Sequence, residues 1–470
     1  MNRLPLELST RIFDFAVDHG SEQHAEQIIP LTHVCRYWRT TLLSYPKIWS
    51  VIRMKPGDLA VIPEWLARSQ KAPLTVIAKF ADSYEHPPCR YQDSATATLA
   101  DKNDPRVCHR HDAVLSLDQL LPHRSRIRDL TVFLDSSDPD WDDEDNEHEG
   151  EPTLLRHRFF SESLPNLQRL DFRAAHAEHD RYAIPIPISL FARDLPRLKE
   201  LLFLGVIDGL TGTVKNLTSC EIGYWSESAG PTIMYQEELH ELLDNNKTLQ
   251  SLTINWCEFF NSDPQVPTAI PLTDLKFLKV TSFEKDLDRI LDCIHAPQFK
   301  NLDTVQLFFD SCGIKLVATD SSGHTFEFSE FDRYHLITHP LQRLGAKITT
   351  LRLSRVGLDI GLGFLEPIQT LDTIQVLEFD AAIANSVQNF LSASGILPGL
   401  KVIRVGVSGP GCEGALRILA ATLRQRMDQG NPLAAIEPLP VGFSGELDQS
   451  LRVKWEECYK AEGMQKYLFT

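Results

Sequence analysis

Four residues in the first quarter of the chain are of types that bind soft divalent metals: Cys89, Cys108, His109 and His111. Zinc takes four such ligands, usually from two short-spaced pairs. The run Cys-x18-Cys-His-x-His lacks the first pair, so it reads as polar loop surface rather than a metal site. His176 and His179, with Asp180, offer two imidazoles from another loop and no clear further ligand. Gly-x-Ser-x-Gly is absent. Gly205, Gly209 and Gly212 are widely spaced turn formers without the basic helix start a phosphate cradle requires. Gly361-Leu362-Gly363 and Gly409-Pro410-Gly411 read as turns. Cys35 lies on an apolar helical stripe, where a thiol serves as a small hydrophobe. The expectation is a non-enzyme: no catalytic residue, no cofactor and no metal.

Composition points the same way. The chain has 470 residues, 43% hydrophobic, enough for a sizeable core. Lys and Arg number 47 against 64 Asp and Glu, a net charge of -17. Such a charge repels phosphate backbones and anionic lipid, so neither nucleic acid nor membrane is an expected partner. Nine dispersed cysteines read as free thiols in a reducing compartment. No apolar run reaches membrane-spanning length, and patterned sequence begins at Leu4 with no room for a signal peptide. An intracellular protein of the cytoplasm or nucleus is expected.

The elements that would position any working residue begin at once. Residues 4–17 read as a short helix with Pro5 in its first turn and an apolar face of Leu8, Ile12, Phe15 and Ala16. Gly20 and Ser21 supply a stop and a new start. Pro30 then opens a helix running to Leu43, striped by Leu31, Val34, Cys35, Trp38 and Leu42, and Tyr45-Pro46-Lys47-Ile48-Trp49 closes the unit. A module this small has surplus apolar surface, and Phe13, Trp38 and Trp49 need a partner groove or the next domain to cover them.

The identities in these blocks carry a resemblance. Leu-Pro-x-Glu-Leu-x-x-x-Ile-Phe, then Val-Cys-Arg-x-Trp-Arg, then Pro-x-Ile-Trp, occur in order. This is similar to the F-box, most of all to the F-box-like domains of large fungal families. The resemblance covers about a tenth of the chain, and the polar stretch from His19 to Pro30 is longer than in many members. It implies a three-helix module docking on a Skp-type adaptor and, through it, a cullin. Carried over by motif position, the adaptor-binding residues are Leu4, Pro5, Leu6, Glu7, Leu8, Ile12 and Phe13, then Val34, Cys35, Arg36 and Trp38, then Pro46, Ile48 and Trp49.

Beyond Trp49, short Leu-x-x-Leu-x-Leu segments recur, each a candidate strand with alternate residues inward. The strong ones start at Ile127, Leu167, Leu198, Leu249, Leu275, Leu302, Ile348, Ile374 and Leu400; weaker ones cover 49–53, 73–79 and 217–223. Leu252, Leu278 and Val305 are 26 and 27 residues apart, and Leu351, Leu377 and Ile403 are 26 and 26 apart. That period falls in the leucine-rich-repeat range. Amphipathic stretches at 59–69, 113–121, 236–245, 286–295 and 384–392 read as intervening helices. The expected fold class is α/β: a small N-terminal helical F-box, then an irregular leucine-rich-repeat solenoid with parallel strands inside and helices outside. A conventional open parallel sheet remains the alternative, because strand–helix–strand units look alike locally. The expected domains are 1–52, 53–410 with loop insertions near 81–112 and 135–152, and a helical tail at 411–470. Residues 315–339 read as a hairpin interrupting the repeats.

With F-box and repeats together, the chain reads as a substrate-choosing subunit of a cullin-type ubiquitin ligase. Its rival is a repeat scaffold whose F-box-like helices merely cap it. Alternation offers Arg173, Asn255, Lys279, Gln306, Phe308, Arg352, Glu378 and Arg404 as substrate-facing residues, with Asp171, Thr253, Thr281, Ser354 and Asp380 beside them.

Overall fold

The computed structural model describes residues 4–17, 24–54, 59–81, 109–136, 157–176, 191, 195–204, 214–223, 232–260, 268–281, 284–310, 313–330, 343–344, 346–354, 372–380, 387, 397–406, 421, 424, 428 and 435–439. It is a mixed α/β protein with few helices and mostly parallel strands. The chain forms two compact units, Met1–Leu249 with Asn255–Pro264, and Gln250–Ile254 with Gln265–Thr470.

The first unit opens with three helices, α1 (Leu6–Ala16), α2 (His24–His33) and α3 (Arg36–Leu43), and a 3₁₀ turn at Pro46–Trp49. The single helix expected over 31–43 is in fact two. Cys35 adopts an extended backbone and caps α3, its Sγ accepting the Trp38 N–H at 3.4 Å. Pro30 sits inside α2 rather than opening the next helix. Strands β1 (Val51–Met54), β2 (Leu74–Ala81), β3 (Ile127–Ser136), β4 (Arg169–His176), β5 (Glu200–Leu204) and β6 (Ser219–Gly223) follow, each parallel to its predecessor. The connections carry α4 (Ile62–Arg68), α5 (His109–Leu120) and α6 (Arg158–Ser161). After β6 come β7 (Thr232–Tyr235) and α7 (Gln236–Asn245); β7 pairs in parallel with β9 (Cys257–Phe260), a small sheet the repeat pattern does not announce.

The second unit holds β8 (Ser251–Asn255, except its last residue), β10 (Ile270–Pro271), β11 (Phe277–Thr281), α8 (Glu284–Cys293) and β12 (Ile294–His295). Then come β13 (Thr304–Asp310), β14 (Gly313–Thr319), β15 (Thr325–Glu330), β16 (Thr350–Ser354), β17 (Val376–Asp380), β18 (Val402–Gly406) and β19 (Ala435–Leu439). Its strand order is β8-β11-β15-β14-β13-β16-β17-β18-β19, and β10 pairs separately with β12. The hairpin expected near 315–339 is present as β14 and β15, but it does not interrupt from outside. It is threaded into the sheet, with β15 parallel to β11 and β14 antiparallel to β13. Leu278 and Val305, one period apart in sequence, are therefore separated by two intervening strands. Part of the tail also departs from the helical expectation: 435–439 is a strand parallel to β18. Pro438 is tolerated because β19 is the last described strand in the order, where a missing N–H breaks no further ladder.

One local device recurs in both units. Leu164-Pro165-Asn166-Leu167, Leu195-Pro196-Arg197-Leu198 and Leu397-Pro398-Gly399-Leu400 each form a tight turn, the last N–H donating to the first carbonyl at 3.0–3.2 Å. Both leucines of every pair are buried. At three strand starts two consecutive N–H groups donate to one carbonyl that lies just before the neighbouring strand. Lys199 and Glu200 donate to Gln168, Gln375 and Val376 to Thr349, and Lys401 and Val402 to Gln375. In each unit alternate residues face a buried side, Leu170, Phe172, Leu201 and Phe203 in the first and Leu377, Phe379, Ile403 and Val405 in the second. The other face carries the polar alternates.

Candidate functional site

On α1 the apolar face points the opposite way from the sequence expectation. Ser9, Phe13 and Val17 are buried, whereas Leu8, Ile12, Phe15 and Ala16 are exposed, Phe15 at 92%. The helix has two apolar stripes, each with a phenylalanine, and the one holding Phe13 faces the core. Phe13 (1% exposed) packs with Val17, Ile28, Leu42, Ile48 and Trp49. Its ring meets Trp38 edge-on, 5.2 Å between centroids. Trp49 donates its indole N–H to the Leu42 carbonyl at 2.8 Å. Trp65 of α4 packs edge-on against it at 5.3 Å, and Arg68 lies over its ring. The aromatic residues are thus covered by the module and the following helix. Phe13, Ile48 and Trp49, three of the expected contact residues, are buried in this core.

Polar ties fix the helices. Tyr37 donates its hydroxyl to the Leu4 carbonyl at 2.9 Å and lies 3.2 Å from Ser9 Oγ, joining the start of α1 to the first turn of α3. Asp14 accepts from Lys47 Nζ at 2.7 Å and from the Tyr45 hydroxyl at 3.0 Å. Burial, with the Asp14 hydrogen bond and charge, pushes the Tyr45 phenol up to about 12, so it stays a donor. What remains outward is a run of side chains with no covering group among the described residues. Leu4, Pro5, Leu6, Glu7, Leu8, Ile12, Val34 and Arg36 of the expected contact set are exposed, and Cys35, Trp38 and Pro46 are half-buried. Phe15 and Ile29 join them, and neither stands in the motif-derived set. The signal for Phe15 was the doubled stripe of α1 itself, since one face of an apolar-on-two-sides helix must be left over.

No family model and no curated protein matches the chain.

The second surface is the polar face of the strands. In the first unit, Arg173 makes a double hydrogen bond to Asp171 at 2.7 and 2.9 Å and lies over the Phe133 ring, with Lys79 over the same ring. Asn255 donates to Glu221 at 2.9 Å. Gly223 has a φ of +125°, and a Cβ there would stand 1.7 Å from the Asn255 carbonyl oxygen, so only glycine fits. In the second unit, Arg352, Glu378 and Arg404 are register partners on β16, β17 and β18. Glu378 accepts from Arg352 at 2.6–2.7 Å and from Arg404 at 2.9 Å. Phe308 is exposed, and Lys279 and Gln306 are half-buried. Asp171, Thr253, Thr281 and Glu378 (3% exposed) are buried. The two carboxylates are consumed by their arginines, and none of these four is an open contact. The side chains of Ser354 and Asp380 lie outside the described residues.

Among the described residues no group of three or more His, Cys, Asp or Glu could hold a metal ion. Cys89, Cys108, His179 and Asp180, and the side chains of His109, His111 and His176, lie outside them. The two His–Asp pairs that are described serve local structure: His157 caps α6 and meets Asp118 at 3.3 Å, and His324 closes a turn on Asp320. Burial, then the charge of Glu221, pushes the Cys220 thiol up to about 12, which keeps it protonated and inert. No described helix is long and apolar enough to cross a membrane.

Proposed function

We propose that this chain is the substrate-choosing subunit of a cullin-type ubiquitin ligase. In this reading α1 to α3 form an F-box-like module that docks a Skp-type adaptor, and the repeat-built sheet holds a protein substrate. The observation that carries it is the exposure of Leu4, Leu6, Leu8, Ile12, Phe15 and Val34 on a module whose own core is already complete. Six apolar side chains held in water by a well-packed domain mark a protein-binding face. Most of them fall in the blocks that resemble the F-box. The subunit would do no chemistry; it would raise the concentration of substrate lysines beside a ubiquitin-charged enzyme.

Co-purification tests it. Wild-type protein retains a Skp-type adaptor at micromolar concentration, and Leu4→Ala with Pro5→Ala weakens retention at an unchanged melting temperature. A normally folded wild-type chain that retains no adaptor sinks the ligase reading and leaves the scaffold.

A further inference from the structure

Helix α1 begins without the side-chain cap that commonly anchors a first turn. Pro5 stands at its N-cap (φ -53°, ψ 148°) and makes no side-chain cap hydrogen bond. The anchor comes from α3 instead. The Tyr37 hydroxyl donates to the Leu4 carbonyl at 2.9 Å, and its oxygen lies 3.2 Å from Ser9 Oγ. With the phenolic proton committed to Leu4, the oxygen is left to accept from Ser9. The same Ser9 hydroxyl also reaches the Pro5 carbonyl at 3.2 Å. One phenol thus brackets the segment from Leu4 to Ser9, and that segment carries Leu4, Leu6 and Leu8, exposed by 42%, 55% and 47%.

We infer that Tyr37 is a positioning residue for adaptor docking. Its hydroxyl holds the backbone at the start of α1 in a single conformation that presents Leu4, Pro5, Leu6 and Leu8, so a partner need not order them on binding. This rests on the ligase reading of the exposed face and adds a residue to it, since Tyr37 occupies the unspecified place between Arg36 and Trp38 in the second motif block. Loss of the hydroxyl leaves no buried group orphaned. Leu4 is exposed, so water takes the place at its carbonyl, and Ser9 keeps the Pro5 carbonyl. The apolar core around Phe13 and Trp49 includes neither Leu4 nor Tyr37. Tyr37→Phe therefore loosens the segment and leaves the module folded.

The test is a double-mutant cycle on the full-length chain, read by isothermal titration with a purified Skp-type adaptor. Tyr37→Phe is expected to weaken binding about fivefold in the wild-type background. With Leu4→Ala and Pro5→Ala already present, it weakens binding less than about twofold, because the side chains it positions are gone. Native-state amide exchange supplies a readout that needs no adaptor. The Leu8 and Ser9 N–H groups both donate to the Pro5 carbonyl, at 3.1 and 3.0 Å, and Val17 donates to Phe13 at the far end of α1. In Tyr37→Phe the first two exchange several-fold faster while Val17 and the melting temperature stay unchanged. Equal binding by Tyr37→Phe, the same loss in both backgrounds, or unchanged exchange at Leu8 and Ser9 overturns the inference and leaves the ligase reading in place. So does a lower melting temperature with faster exchange at all three amides, which marks a role in the fold alone. A folded wild-type chain that binds no adaptor sinks the ligase reading, and this inference with it.

Discussion

At the scale of single residues, α1 separates two roles that lie next to each other in sequence. Ile12 and Phe13 are neighbours, yet one side chain is in water and the other is sealed. Phe13→Ala removes a ring from a closed cluster and costs about 3–5 kcal/mol, read as a fall in the urea midpoint. Ile12→Glu removes nothing from the core and leaves that midpoint within about 0.5 kcal/mol of wild type. Gly223 is constrained by space as well as by its positive φ. Gly223→Ala drives a methyl into the Asn255 carbonyl and costs about 3 kcal/mol, measurable in the same titration. Of the cysteines described, Cys220, Cys257 and Cys293 are buried and Cys35 is partly exposed, so Cys35 is expected to react before those three with a thiol reagent in the native state.

At the scale of elements, stability depends on how each strand is entered and left. Asn246, buried at the end of α7, accepts the Leu217 N–H at 2.8 Å and donates to the Val214 and Leu242 carbonyls at 3.0 and 2.7 Å. Asn246→Ala leaves those groups without their partner and is expected to cost about 2–3 kcal/mol in chemical denaturation. Gln298 does similar work in the second unit, donating to the Leu272 and Leu275 carbonyls. The turn between β14 and β15 is held by Asp320, which accepts from the N–H groups of Ser322 and His324 and pairs with the His324 ring at 2.8 Å. Burial works to raise that carboxyl, but the His324 ring and the backbone N–H groups outweigh it and hold it below its ordinary value. A depressed folded-state value adds stability above the unfolded-state value near ~4 and loses it as pH falls through the folded-state value. Asp320→Asn is therefore expected to flatten the loss of thermal stability below about pH 4.

Several strand positions were legible because the leucine pair before β4, β5 and β18 is a turn with both ends buried, and that spacing is written in the sequence; β7, β9 and β19 carry no such lead-in. Strand order was not legible. Nothing local tells β14 and β15 to enter between β11 and β13, since the choice rests on pairing between distant segments. The direction of α1 was hidden for a related reason: both of its faces are apolar, and only packing against Leu42 and Trp49 decides between them. Asn246 and Gln298 were missed because a buried amide is recognised by the carbonyls around it, which sequence does not display.

At the scale of the molecule, two surfaces of opposite chemistry are built by the same economy. The helical module buries its aromatics and leaves apolar side chains outward, while the strands of the second unit bury their apolar alternates and leave polar and charged ones on the other face. The ligase reading assigns the first to an adaptor and the second to a substrate segment, and it needs no reactive group from either. The most direct measurement is isothermal titration of a purified Skp-type adaptor into the full-length chain, beside the Leu8→Glu, Ile12→Glu variant. The account predicts one-to-one binding with a Kd below about 1 µM, a negative heat-capacity change from apolar burial, and at least about a hundredfold loss in the variant at an unchanged melting temperature. No heat of binding from the folded wild-type chain, or equal binding by the variant, would contradict it.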